Sequence, residues 1–198
     1  MAYHLLCTYY DTGEVFDMSE LAQDIEFTTS LNSQPGRFTF YLEKDPKGLL
    51  KINIGSVIQF FSDAKIVFYG KVFTIETDAT DVVKVVSYDM MRYLKNEDSL
   101  IIDGTYEITL RGIFTKLMRN YGLKWSYPMQ LFKQVTLLPL EEHNFQGQSL
   151  FDILDYCMVE EELRQGLDVA TASKLGVVDN RLFRRFYLKC NGDTVELR

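Results

Sequence analysis

Two histidines, His4 and His143, three cysteines, Cys7, Cys157 and Cys190, and 28 acidic side chains are the groups with which this chain could do chemistry. Acyl transfer needs a nucleophile on a sharp turn with a base beside it, and no Gly-x-Ser-x-Gly element is present. Glu141-Glu142-His143 has the residue types of a metal site. A zinc-protease helix, however, sets two histidines four apart on one face, and no second histidine stands near, so a surface loop is expected there. With 28 Asp and Glu, some carboxylate pair always falls at a glycosidase spacing, which makes such a pair uninformative. Gly104, Gly112 and Gly122 are isolated, outside any phosphate-cradling loop, so no cofactor is implied. Trp125, with Tyr121, Tyr127, Phe132 and Phe145 near it in sequence, has the chemistry of a sugar-stacking platform. Aromatics beside a helix end more often fill a core or an interface, and that is the expectation here.

Composition narrows the partners. The net charge is -7 and the longest basic run is Arg184-Arg185, which lacks the electrostatic footprint of a phosphate-binding surface, so nucleic acid is not an expected partner. Residues 1–10 hold no basic stretch followed by an apolar one, and no apolar run approaches the ~20 residues of a membrane helix. The protein is expected to be made and kept in the cytoplasm unless its assembly is released, without membrane insertion. The cysteines show no Cys-x-x-Cys spacing and are odd in number, which suits reduced thiols. Cys157 belongs on an apolar helix face and should pack in a core.

The elements that would position these groups fall into two parts: an antiparallel β-barrel or sandwich over residues 1–95, then an α/β segment over residues 96–198. The fold class is α+β. Residues 3–10 and 14–18 form a hairpin through Asp11-Thr12-Gly13. Strands follow at 24–30 and 37–43, where Phe38, Phe40 and Leu42 alternate inward and Tyr41 faces the other way. Lys44 to Gly48 makes a turn, and strands run over 56–62, 66–77 (bending at Gly70) and 82–88. The period then changes to helical, with Leu110, Ile113, Phe114, Leu117, Met118 and Tyr121 on one stripe, Thr109 as cap and Gly122 as terminator, predicting a helix near 109–121. A second helix near 149–165 has Ser149 as N-cap, Leu150, Ile153, Leu154, Cys157 and Met158 on its apolar face, and Glu160-Glu161-Glu162 as a solvated face. Residues 166–178 suit a mobile loop, and Arg184 to Cys190 with Thr194 to Leu197 make a terminal hairpin through Asn191-Gly192-Asp193.

Three segments, Tyr69-Gly70-Lys71-Val72-Phe73, Ser87-Tyr88-Asp89-Met90-Met91-Arg92-Tyr93-Leu94-Lys95-Asn96 and Thr109-Leu110-Arg111-Gly112-Ile113-Phe114, resemble the tail hub family of PBSX-like prophages, the XkdQ/YqbQ group. The order also matches in the Asn120-Tyr121-Gly122-Leu123 helix exit and in Ser149-Leu150-Phe151-Asp152, over about residues 1–165. The resemblance implies a tail-hub fold and a structural role for Gly70, Tyr88, Asp89, Arg92, Tyr93, Leu94 and Asn96, with no catalytic residue, no metal and no cofactor. It also implies a non-enzymatic ring, most simply a trimer, joining tail tube to spike among other baseplate proteins of a contractile phage tail or bacteriocin. Such hubs are usually longer and carry a second barrel, whereas only Phe183 to Leu197 is available to start one here. A fragment, a compact variant and half of a split hub all fit that departure. Read without the family, Asp89 and Asn96 should bond local backbone while Tyr93 and Leu94 cover the barrel's open end. Two other functions stand behind the hub: a tail-associated cell-wall hydrolase, and a carbohydrate- or receptor-binding module built on Trp125.

Overall fold

The computed structural model describes residues 3–29, 34–43, 52–79, 81–103, 108–127, 140–164 and 186–198. The expected turn at Lys44 to Gly48, the loop over 166–178, Gly104, Phe132, Arg184 and Arg185 lie outside the described residues, as does most of the loop before β4. Two compact units make up the chain: Met1–Arg92 with Cys190–Asp193, and Tyr93–Lys189 with Thr194–Arg198.

The first unit is a seven-stranded half-barrel. Its strands are β1 (Tyr3–Thr8), β2 (Val15–Asp17), β3 (Ala22–Thr28), β4 (Arg37–Glu43), β5 (Val57–Ser62), β6 (Lys65–Thr77) and β7 (Val82–Asp89). They pair antiparallel in the order β2-β1-β5-β6-β7-β4-β3, which leaves β2 and β3 as edges. Alternation decides which side chains turn inward, because successive residues of a strand face opposite sides. Leu5, Cys7, Phe38, Phe40, Leu42, Ile58, Phe68 and Val72 line the core, and Phe38 and Phe40 are wholly buried. Rings fill one end of the interior: Phe38 stacks on Phe68 at 4.9 Å between centroids and meets Phe60 at 5.1 Å, while Phe27 of β3 reaches Phe68 at 5.6 Å. The interior is a packed core and not a channel.

Two local features escaped the sequence reading. The β5–β6 turn is Asp63-Ala64, both with positive φ (46° and 64°), the geometry that matches strand twist in a two-residue hairpin, without the glycine that normally signals it. The register of β6 shifts twice, on either side of Gly70: against β5 at Val67 and against β7 at Phe73.

A single-file 3-10 turn, Met90–Lys95, leaves β7. The second unit holds β8 (Glu97–Ile102), α1 (Leu110–Asn120), β9 (Lys124–Ser126), β10 (His143–Ser149) and α2 (Leu150–Arg164), and β11 (Leu188–Asn191) with β12 (Thr194–Leu197) completes the chain. Thr109 caps α1 by accepting the Gly112 N–H at 3.3 Å, Gly122 takes φ +62° after its last turn, and Leu110, Ile113, Phe114, Leu117 and Met118 are buried. Ser149 caps α2 through the Asp152 N–H and bonds the Asp152 carboxylate.

Two expectations are corrected here. Glu160 to Glu162 is not a solvated face: Glu161 is fully buried, Glu160 accepts the Glu141 N–H at 2.6 Å, and Glu162 accepts the Phe186 N–H at 2.9 Å. Charge-assisted bonds from backbone donors far away in sequence thus hold Glu160 and Glu162 in place. His143 is not in a surface loop but opens β10, with its ring 4.3 Å from both Phe145 and Tyr156. The terminal hairpin is present as β11 and β12, and β12 also runs parallel to β9, pairing Val195 with Trp125, in a three-stranded sheet ordered β11-β12-β9.

Candidate functional site

Polar, glycine and thiol groups converge at the end of β7, where the half-barrel chain turns into the 3-10 turn. Asp89 is cross-strand partner to Gly70 and its carboxylate is largely buried. One oxygen accepts the Gly36 N–H at 2.9 Å and the other the Met91 N–H at 3.0 Å, while the Asp89 N–H donates to the Gly36 carbonyl at 3.0 Å. One side chain thus fixes the approach to β4, the end of β7 and the start of the 3-10 turn. Of these bonds only the one to Met91 is local; the partner 53 residues away in sequence was invisible to local reasoning.

Gly70 serves a close approach of strands. A Cβ there would run into the Tyr88 carbonyl oxygen and the Phe68 ring. On the other side of the sheet Phe73, displaced by the β6 irregularity, meets Tyr88 edge to face at 5.6 Å, and the Arg92 guanidinium lies 5.6 Å and 5.8 Å from those two ring centroids. A cation over two aromatic faces holds the arginine in place. Gly70, Tyr88, Asp89 and Arg92 therefore come together in the first unit, whereas Tyr93, Leu94 and Asn96 fall in the second. There Leu94 is fully buried, and Asn96 works through its backbone, its N–H donating to the Tyr93 carbonyl and its carbonyl accepting the Leu150 N–H at 2.9 Å. Cys190, from the hairpin tip that belongs to the first unit, was not foreseen in this cluster. Its thiol donates to the Gly192 carbonyl at 3.2 Å, and burial, then the Asp89 charge, pushes it up to about 12.

Burial raises Asp89 to about 6 in spite of its two N–H donors. A carboxyl near neutral pH has one property of a general base, but both oxygens are committed to backbone amides, and Cys7 and Cys157 are pushed by burial to about 11 and 12, far from thiolate chemistry. The cluster sets backbone direction. Because the folded value of Asp89 lies above its ordinary 3.8, the folded protein binds the proton more tightly than the unfolded chain. Asp89 therefore contributes no penalty below pH ~4, an increasing one as pH rises, and the full penalty above pH ~6, at most about 3 kcal/mol. Denaturant unfolding from pH 4 to pH 7 should show the wild type losing that increment relative to Asp89→Asn; parallel profiles would refute it.

The aromatic group around Trp125 is divided. Trp125 stacks on Tyr127 at 5.5 Å, Arg111 covers Tyr127 at 5.7 Å, and Phe114 meets Trp125 edge-on at 6.3 Å. Phe145 instead packs with His143 and Tyr156. These aromatics, close in sequence, thus fall into two separate clusters, with ring faces taken up by neighbouring side chains. Among the described residues no three His, Cys, Asp or Glu side chains gather as metal ligands, and no helix is long and apolar enough to cross a membrane.

The profile of the YqbQ-like family matches residues 25–179. The chain belongs to the YqbQ-like family. No curated protein matches it in sequence. Its fold is shared with the 43 kDa tail protein of prophage MuSo2 from Shewanella oneidensis (TM-score 0.63, 13% identity, 98% of this chain and 52% of that one). It is shared too with prophage tail protein gp18 from Listeria monocytogenes EGD-e (TM-score 0.62, 10% identity, 98% and 50%) and the tail protein from Neisseria meningitidis MC58 (TM-score 0.60, 12% identity, 100% and 50%). At these identities the likeness is one of fold. This YqbQ-like chain spans about half the length of the three tail proteins.

Proposed function

We propose that this YqbQ-like chain is a non-enzymatic structural subunit of a phage tail, a baseplate hub component that closes into a ring between tail tube and spike of a contractile tail or bacteriocin particle. Family membership over residues 25–179 carries the reading, and a fold in common with three prophage tail proteins supports it. In this reading residues 1–95 and 96–198 are the two working parts, and Gly70, Tyr88, Asp89, Arg92, Tyr93, Leu94 and Asn96 have structural roles rather than forming a reaction centre. A trimer is the expected assembly, made in the bacterial cytoplasm and carried in the tail particle, with tube, spike and other baseplate proteins as partners and neither nucleic acid nor membrane involved. Stable rings bury large surfaces, more than ~2,000 Å² in most obligate assemblies. Light scattering on the purified protein at micromolar concentration should give the mass of a trimer or hexamer. A monomer that clears cell-wall substrate would overturn the hub in favour of a hydrolase.

A further inference from the structure

The chain's charge is not spread evenly. Residues 1–36 hold Asp11, Glu14, Asp17, Glu20, Asp24 and Glu26 and none of the 21 Lys and Arg, so -6 of the net -7 sits in this segment. All six carboxylate residues are exposed. The same segment supplies both unpaired edges of the half-barrel, β2 and β3, linked through Met18, Ser19, Glu20 and Leu21, so the acidic strip follows the open seam of the sheet. Large apolar side chains stand exposed along it as well: Tyr10 at 73%, Val15 at 62%, and Phe16, Leu21 and Phe27 at 37–43%. A strip with strand edges unpaired among the described residues, exposed apolar groups and a net negative charge has the properties of an interface.

A second seam cannot be its occupant, because that would set six carboxylates against six. The opposite charge is found on the same chain. Residues 108–127, which include α1 and β9, carry Arg111, Lys116, Arg119 and Lys124, all exposed, and no acidic residue. β9 is also an edge of its sheet among the described residues. We propose that the acidic β2–β3 seam of one copy docks on the basic α1–β9 surface of the next. The contact is heterologous, joining two different patches, and repeated heterologous contacts close into rings. This inference rests on the ring reading and names the surfaces that make the ring.

Charge reversal tests it. One variant carries Glu14→Lys, Glu20→Lys and Glu26→Lys, the other Lys116→Glu and Arg119→Glu; every site is exposed, so no core packing is lost. Sedimentation velocity on the wild-type protein should show self-association that weakens at least tenfold between ~0.1 M and ~1 M salt, where the screening length falls from ~10 Å to ~3 Å. Each variant alone should be a monomer, and an equimolar mixture should associate again, a rescue that misfolded chains could not give. Wild-type association that both reversals leave unchanged would overturn this pairing of surfaces while leaving the ring standing. A monomer at every concentration and salt would sink the pairing and the ring together.

Discussion

Phe38→Ala is expected to destabilise the half-barrel by about 4 kcal/mol, the upper range for removing a buried ring. Phe38 is wholly buried and lies within 4.9–6.4 Å, centroid to centroid, of Phe68, Phe60, Phe40 and Phe27. These four rings are anchored on four different strands, so none can follow the truncated side chain inward without moving its own strand. The cavity therefore stays open, and its cost adds to the lost transfer energy. Phe38→Leu, which keeps most of the volume, should cost only about 1 kcal/mol. Urea unfolding followed by circular dichroism measures both. Trp125, the chain's one tryptophan, lies in the second unit, so its fluorescence reports that unit separately. A loss below about 1 kcal/mol for Phe38→Ala would mean the interior is not close-packed.

Gly70→Ala should be nearly as damaging, at about 3 kcal/mol, although only a methyl group is added. The new carbon would meet the Tyr88 carbonyl, which is backbone and cannot rotate away, together with the Phe68 ring. β6 and β7 would have to part beside Asp89, loosening the Gly36 and Met91 bonds that the carboxylate holds. Gly13→Ala is the control, since Gly13 has φ +70° but open space around it, and strain alone should cost about 1 kcal/mol. Equal losses at the two glycines in thermal or urea unfolding would show that the close approach to Tyr88 is unimportant.

Signals that act over a few residues were legible. The alternation of Phe38, Phe40 and Leu42, the helical stripe of Leu110, Ile113, Phe114, Leu117 and Met118, and the caps Thr109 and Ser149 each depend on backbone period and nearest neighbours, and each stands where expected. The strands of the half-barrel were also readable within a residue or two. β8, β9 and β10 were not, because their partners lie far along the chain: Phe145 pairs with Leu100, and Trp125 with Val195. The Asp63-Ala64 turn was hidden for the opposite reason, its residues being poor formers of the conformation they hold.

The motif residues divide along the same line. Sequence alone determined that this is an α+β protein with a β-rich first half, and it singled out Gly70, Tyr88, Asp89 and Arg92 through a family resemblance, with no physical account of why they belong together. Only the tertiary structure decided that Asp89 holds Gly36, that Gly70 makes room for Tyr88, that Arg92 lies over Phe73 and Tyr88, and that Cys190 joins them. It also decided that Glu161 is buried and that β2 and β3 line an open seam. The reason is physical: hydrophobic period and capping act between neighbours in sequence, whereas a buried carboxylate's partners, a glycine's steric room and the exposure of a strand edge are set by segments that meet only after the chain has folded.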